Sequence, residues 1–205
     1  MSAQVTSPVR KTANSTTAED RTAEICLTAA RVICEKGYDA ASMNDIAAAC
    51  NLTKAGLYYY TTGKQDLLYR IIDYAMSLVE DNARKCSVII NAEERLRMII
   101  HCHIMTVADG GGSIAILSEE MNALSPEQRE EIIERKRAFL DLTRSTLHEL
   151  KAQGRLNDLD PDIAALNMFT TILGIPRWYR PSRELSTEQI AEQVSSFLHK
   201  ALLKN

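Results

Sequence analysis

From Asp20 onward the apolar residues recur at helical spacing. Ile25, Ala29, Val32 and Ile33, with Cys26 on the same side, predict a first amphipathic helix. Gly37 follows Lys36 and predicts its C-terminal cap. Ser42, with Asp45 three residues on, resembles a capping box and opens a second, short helix to Cys50, buried through Ile46, Ala47 and Cys50. Asn51 and Leu52 make a turn. Thr53 caps a third helix running to about Tyr60, which Thr61-Thr62-Gly63 breaks. A long helix follows from Lys64 to about Ile90, with Leu67, Leu68, Ile71, Ile72, Met76 and Val79 on one side.

The second half keeps the same period. A helix from Ala92 to Ala108 carries Leu96, Ile99, Ile100, His103 and Val107, and Gly110-Gly111-Gly112 interrupts it before a short helix from Ser113 to Met121. Ser125-Pro126-Glu127-Gln128 combines a cap, a first-turn proline and a capping-box glutamine. The helix it opens runs to Lys151 and stops at Gly154. Asp160-Pro161 starts another, reaching Gly174, and Ser186 with Gln189 caps a last one to Leu203. Pro176 and Pro181 bracket an irregular Arg177-Trp178-Tyr179-Arg180 run. No alternation of period two occurs, so the chain is expected to be all-α, with about nine helices and no repeats. Residues 1–19 are rich in Ser, Thr and Ala and read as a flexible tail whose only cations are Arg10 and Lys11. Residues 20–66 form a three-helix unit, and residues 67–205 a larger helical domain.

Composition adds limits. A chain with 45% hydrophobic and 25% charged residues is ordinary for a globular protein. It has no uncharged apolar run near the ~18 residues of a membrane span, and its first residues lack the apolar core of a signal peptide. A cytoplasmic protein is therefore expected. Cys26, Cys34, Cys50, Cys86 and Cys102 are scattered, with no CxxC, and read as small apolar core residues. The net charge of −3 divides unevenly: residues 1–64 hold seven Lys or Arg against six Asp or Glu, and the remainder 17 against 21. A surplus of one positive charge is a weak electrostatic argument for DNA.

Chemistry concentrates between Ser42 and Lys64. Two short helices joined by a tight turn make a helix-turn-helix, whose second helix enters the major groove. Tyr58, Tyr59 and Tyr60 are consecutive, about 100° apart on a helix, so they cannot all be core. A tyrosine hydroxyl can donate to phosphate, Lys54 sits at the helix start, and Ala55 and Gly56 are small enough for close approach to base edges. The rival reading is an aromatic patch that binds another protein. Residues 42–64, SMNDIAAACNLTKAGLYYYTTGK, together with Glu35-Lys36-Gly37-Tyr38, resemble the signature of the tetracycline-repressor (TetR) family. Ile46-Ala47, Thr53-Lys54, Leu57-Tyr58, Tyr60 and Lys64 match the family pattern. Thr61 stands where Phe is usual, and Gly56 where Ser or Thr is common. The resemblance implies DNA contacts from Ser42, Asn44, Lys54, Ala55, Gly56, Tyr58, Tyr59, Tyr60 and Lys64, with Leu57 and Ile46 in the core. It also implies a ligand-responsive regulator, a repressor, that binds a palindromic operator as a homodimer paired through its last two helices. Two of the chain's helices suit that pairing: Ala164 to Leu173 is apolar on more than one side, and the last shows Ile190, Val194, Phe197, Leu198 and Leu202.

The Arg177-to-Pro181 run, followed by Leu185-Ser186-Thr187-Glu188-Gln189, resembles a subgroup that regulates fatty-acid and steroid degradation, many members of which sense acyl-CoA thioesters. An acyl-CoA is therefore the candidate effector, and a drug-efflux regulator sensing a hydrophobic or cationic drug is the alternative. His103, Met121, Phe139, Phe169, Arg177 and Trp178 are the candidate ligand residues, beside the apolar Met105, Leu140 and Met168. Arg177 and Arg180 could pair with phosphates. The simpler reading leaves them solvated, with Trp178 and Tyr179 at the dimer edge. His103 is read first as a satisfied core histidine and second as a hydrogen-bonder in a pocket. His101 and His103 point about 200° apart on a helix and cannot chelate one metal ion. Neither a nucleophile elbow, a phosphate loop nor HExxH occurs, so no catalytic residue or cofactor is expected. An interaction protein without DNA binding is the remaining rival.

Overall fold

A computed structural model describes residues 18–109, 112–179 and 185–204. The proposed tail, with Arg10 and Lys11, and the residues Arg180 and Pro181 lie outside the described residues. The helices run α1 (Ala18–Lys36), α2 (Met43–Ala49), α3 (Lys54–Tyr58), α4 (Lys64–Ser87), α5 (Ala92–Asp109), α6 (Ser113–Glu119), α7 (Pro126–Ala152), α8 (Pro161–Leu173), α9 (Ile175–Trp178) and α10 (Thr187–Leu202), with a 3₁₀ turn at Met121–Ala123. All nine expected helices form. The added α9 is a single turn inside the run read as irregular. Among the described residues the only pairing of β type is an isolated bridge between Leu156 and Leu203.

Local chemistry sets the helix ends. Ser42, Thr53, Ser125 and Ser186 each accept from the backbone three residues on, and Ser42, Ser125 and Ser186 complete reciprocal capping boxes. Asp160 caps α8 by accepting from Asp162 and Ile163. Gly37, at φ +83°, ends α1 in the left-handed region. Asn51 takes φ +55° in the turn between α2 and α3, a conformation asparagine tolerates better than most residues. Two boundaries differ from expectation. α4 stops at Ser87, because Asn91 accepts from Glu93 and Glu94 and restarts the chain as α5, leaving Val88 and Ile90 exposed. α3 ends at Tyr58, which puts Tyr59 and Tyr60 in the turn that follows.

The larger domain packs α4 against α5, α6 and α7, with α8 across α7 and α10 along α5. Leu68, Ile71, Ile72, Met76, Leu96, Ile99, Ile100, Leu147 and Ile172 are among its fully buried residues. Polar zips hold the α4–α7 seam: Arg135 donates to Glu80 and Asp73, and the Tyr69 hydroxyl to Glu131. α1 packs on α2, α4 and α6. The proposed boundary at residue 66 thus falls inside continuous α4, which belongs to both halves and spans roughly 36 Å at the helical rise per residue. α6 is the second bridge. At its start, a Cβ on Gly112 would stand 2.6 Å from Cys34 Sγ of α1. Of the five cysteines, Cys26, Cys50 and Cys86 are buried as expected, but Cys34 is exposed at this contact.

Candidate DNA-binding and effector sites

The α2–turn–α3 unit is fixed from below by Ile46, Ala47 and Leu57, all buried. Arg21 of α1 donates to the Cys50 carbonyl, and Lys36 pairs with Asp45 at 2.7 Å. The Lys36 and Ser42 contacts hold the Asp45 carboxyl far below the usual range. Ser42, Asn44, Lys54, Ala55, Tyr58 and Tyr59 are exposed. The Ser42 hydroxyl is already engaged in the cap. Tyr59 is 86% exposed and stacks edge-on against Tyr60, which is half-buried and packed on the core. Gly56 is also half-buried, with its amide donating to Thr53. Lys64, half-buried at the start of α4, donates to the Asp39 carbonyl at 3.1 Å and lies 4.6 Å above the centre of the Tyr38 ring.

A cavity of about 400 Å³ opens between α4, α5, α6, α7 and α8. Its buried lining includes Met76, Val79, His103, Ile114, Leu117 and Phe139; Ser118, Ile133, Arg137 and Leu166 are its exposed members. Three of the candidate ligand residues meet here: His103 lies 5.4 Å from Phe139 and 5.1 Å from Phe169, ring centre to ring centre. Among the described residues neither nitrogen of His103 has a hydrogen-bond partner, and burial pushes its pKa down to about 4. The expectation of a satisfied core histidine is therefore corrected: the ring is buried, and its polar atoms are unpaired.

Among the described residues three cations, Lys136, Arg137 and Arg144, line the cavity, and no carboxylate does. Arg137 pairs with Glu134 and Arg144 with Asp162, both outside the lining. Lys136 is half-buried, which lowers its pKa. Its ammonium donates to the Leu117 carbonyl, and no carboxylate lies within 4 Å of it among the described residues. Met121, Arg177 and Trp178 do not line the cavity. Arg177 is exposed and pairs with Glu119, Trp178 is exposed, and Met121 is half-buried against the core. A second cleft, of about 640 Å³ between α5 and α10, is lined mainly by charged and polar residue types, and there Glu93 already bridges Arg97 and Arg155. The exposed His101 lines this cleft, well apart from His103. No single described helix is long and apolar enough to cross a membrane.

Comparison with known proteins decides the family. Residues 25–71 match the model for bacterial regulatory proteins of the tetR family, and residues 90–202 the model for the tetracyclin repressor-like C-terminal domain. The chain belongs to the TetR family. Its members are DNA-binding transcription regulators and not enzymes. The regulator is 35% identical to AibR, whose structure in complex with isovaleryl coenzyme A and operator DNA superposes with a TM-score of 0.75 over 86% of this chain and 97% of that one. It is 23% identical over 182 residues (84% of this chain, 88% of the relative) to the HTH-type transcriptional repressor KstR2 of Mycobacterium tuberculosis. It is 27% identical over 151 residues (70% and 75%) to the fatty acid metabolism regulator protein of Bacillus subtilis. These two relatives support the subgroup resemblance.

The departure of this TetR-family regulator from the family pattern at Thr61 has a local explanation. Thr61 is buried, with its hydroxyl 2.8 Å from the Asp66 carboxylate and 2.9 Å from the Gly63 carbonyl, so a polar lock fills the place of a ring. Lys136, Arg137 and Arg144 were missed as candidates. A signal was available: Ile133, Arg137, Leu140 and Arg144 recur at spacings of four, three and four along α7, a stripe with cations where apolar residues belong.

Proposed function

We propose that this protein is a homodimeric repressor that binds a palindromic operator and leaves it when an anionic effector with an apolar body, an acyl-CoA thioester, fills the cavity between α4 and α8. The observation that carries the effector is the cavity wall: among the described residues it holds three cations and no carboxylate around an apolar interior, and Lys136, half-buried, has only the Leu117 carbonyl as partner. Such a wall attracts a polyanion and repels a cationic drug. The AibR structure, which holds an acyl-coenzyme A and operator DNA, supports this choice.

On the DNA side, Lys54, Tyr58, Tyr59 and Lys64 are the phosphate and base-edge contacts, with Asn44, Ala55 and Gly56 allowing close approach. Ser42 contributes through its cap, and Tyr60 mainly by backing Tyr59. Residues 20–66 form the DNA-binding unit and residues 67–205 the sensor and dimer domain, acting on DNA in the cytoplasm. The dimer forms on α8 and α10, whose Ile163, Leu166 and Phe197 are exposed. Each operator half-site takes one α3, about 34 Å from its mate. The effector touches α4 through Met76 and Val79 and α6 through Ile114 and Leu117, the two helices that also hold α1. It releases DNA by preferring a conformer in which the two α3 helices are wrongly spaced.

The test begins with the genomic DNA that the purified protein retains, which supplies the operator. Complexes on that operator are titrated with acyl-CoA thioesters, free fatty acids and a cationic drug. Thioesters should release DNA at the lowest concentration, and Lys136→Met should raise the concentration needed at least tenfold without lowering the melting temperature. Release by the cationic drug alone would transfer the protein to the efflux regulators.

A further inference from the structure

His103 is the feature of the cavity that an apolar ligand leaves unexplained. The ring is buried in the lining, edge-on to Phe169 and tilted against Phe139, and neither Nδ1 nor Nε2 has a partner among the described residues. The other buried lining residues of α4 and α6, Met76, Val79, Ile114 and Leu117, carry no side-chain nitrogen or oxygen. The three cations belong to α7, and the exposed lining residues mark the mouth. A neutral imidazole presents one donor and one acceptor. A buried polar group left without partners costs free energy, and a ligand that displaces water from it must return those hydrogen bonds or lose affinity. A saturated acyl chain cannot return them. A hydroxyl can return either one, accepting from the N–H or donating to the bare nitrogen, and a carbonyl oxygen can accept from the N–H.

We infer that the effector's apolar body carries a hydroxyl or carbonyl oxygen that hydrogen-bonds His103, so that the cavity selects oxygenated acyl groups over their plain hydrocarbon parents. The inference rests on the reading of this cavity as the effector site. It makes His103 a specificity residue. Phe139 and Phe169 fix the ring so that its nitrogens meet the ligand and do not turn to bulk water. The selectivity follows from the asymmetry of hydrogen-bonding sites, which reject an analogue lacking the partner oxygen far more strongly than an apolar wall rejects an added methylene.

The experiment uses the full-length protein on its operator with matched CoA thioesters of four to ten carbons. Each plain acyl-CoA is paired with derivatives bearing a 3-hydroxy, a 3-oxo or a penultimate oxo group, and free CoA is included. Binding is read by calorimetry and by release of DNA. In the wild type at least one oxygenated thioester should bind tenfold or more tightly than its plain parent. His103→Leu should erase that preference while keeping or improving affinity for the plain parent, and His103→Gln should restore part of it. Unchanged melting temperatures of the variants exclude loss of fold as the cause. Plain and oxygenated thioesters binding alike to the wild type, or a preference that survives His103→Leu, would overturn the inference while leaving the effector site intact. Failure of every thioester to bind would instead remove the site reading, and the inference with it.

Discussion

The two ends of the molecule manage polar groups in opposite ways. In the α2–α3 unit the polar atoms that shape the backbone are matched at short range: Ser42 with Asp45, Thr53 with Gly56, Thr61 with Asp66, Lys64 with Asp39. The side chains left facing solvent, the proposed DNA contacts Lys54, Tyr58 and Tyr59, require no protein partner, because water serves them. In the cavity the pattern reverses: His103 is buried with neither nitrogen paired, and Lys136 is half-buried without a carboxylate. A reading head complete without DNA can be rigid. A sensor incomplete without its ligand holds a differential affinity in reserve, which an effector needs to shift a population. α4 and α6 join the two regions, so the contrast can be tested from either side.

The largest expected effect comes from separating the two reading heads. Phe197 is 62% exposed on α10, near neither the cavity lining nor α3. Phe197→Asp should leave the monomer folded but bury an unpaired charge in the proposed dimer face, a cost of several kcal/mol. Sedimentation should show monomers, and operator affinity should fall by roughly 100-fold or more, since tenfold corresponds to ~1.4 kcal/mol. A variant that remains dimeric would place the interface on another face.

How much of each region was legible in the sequence follows from the same contrast. The caps at Ser42, Thr53, Ser125, Asp160 and Ser186 are contacts over two or three residues, so residue types at fixed offsets announce them. The candidate DNA-facing residues lie in one short segment, Ser42 to Lys64, so a local motif is enough to propose them together. The cavity draws on five helices from Met76 to Leu173, and whether a residue lines it depends on helix rotation and crossing. Periodicity placed His103 on an inward face, and apolar character singled out Phe139 and Phe169; all three line the cavity. Arg177 and Trp178 were chosen for chemistry in an irregular run, but one helical turn there directs them to solvent and to Glu119. The isolated cations of α7 were passed over because a charge on a helix usually marks its solvated face.

A second, smaller effect lies in the cavity's acid response. The His103 pKa is about 4 in the folded chain, against roughly 6.5 in an unfolded one. The unfolded state therefore takes up the proton first, and stability rises with pH between those values. This contribution is fully present above pH 6.5 and is lost as pH falls toward 4, by at most about 3 kcal/mol at 1.36 kcal/mol per unit. Urea titrations of wild type and His103→Leu between pH 7 and 4 should diverge, with the variant losing less stability. Parallel curves would mean that His103 is not sealed from water.

The joint between the regions should respond more modestly. Gly112 has φ +90°, and a Cβ there would meet Cys34 Sγ at 2.6 Å. Gly112→Ala should cost about 1–3 kcal/mol through backbone strain and the clash. Adding Cys34→Ala should recover the clash but not the strain. If the double variant is no more stable than Gly112→Ala, the close approach of α6 to α1 contributes nothing.

The smallest effect concerns a single charge. Lys64 in the free protein is held by the Asp39 carbonyl and the Tyr38 ring, a half-buried cation–ring contact of about 1 kcal/mol, so its loss should alter stability only slightly. If its ammonium also meets a phosphate, Lys64→Ala should reduce the slope of log affinity against log salt by about 0.9 per subunit, close to two for the dimer. Lys136→Met also removes one positive charge per chain, but in the cavity, so it should leave the slope unchanged. Comparing the two separates contact from net charge. Equal slopes in wild type and both variants would leave Lys64 a purely structural clamp between α4 and the α1–α2 loop, and the phosphate contacts would then rest on Lys54, Tyr58 and Tyr59.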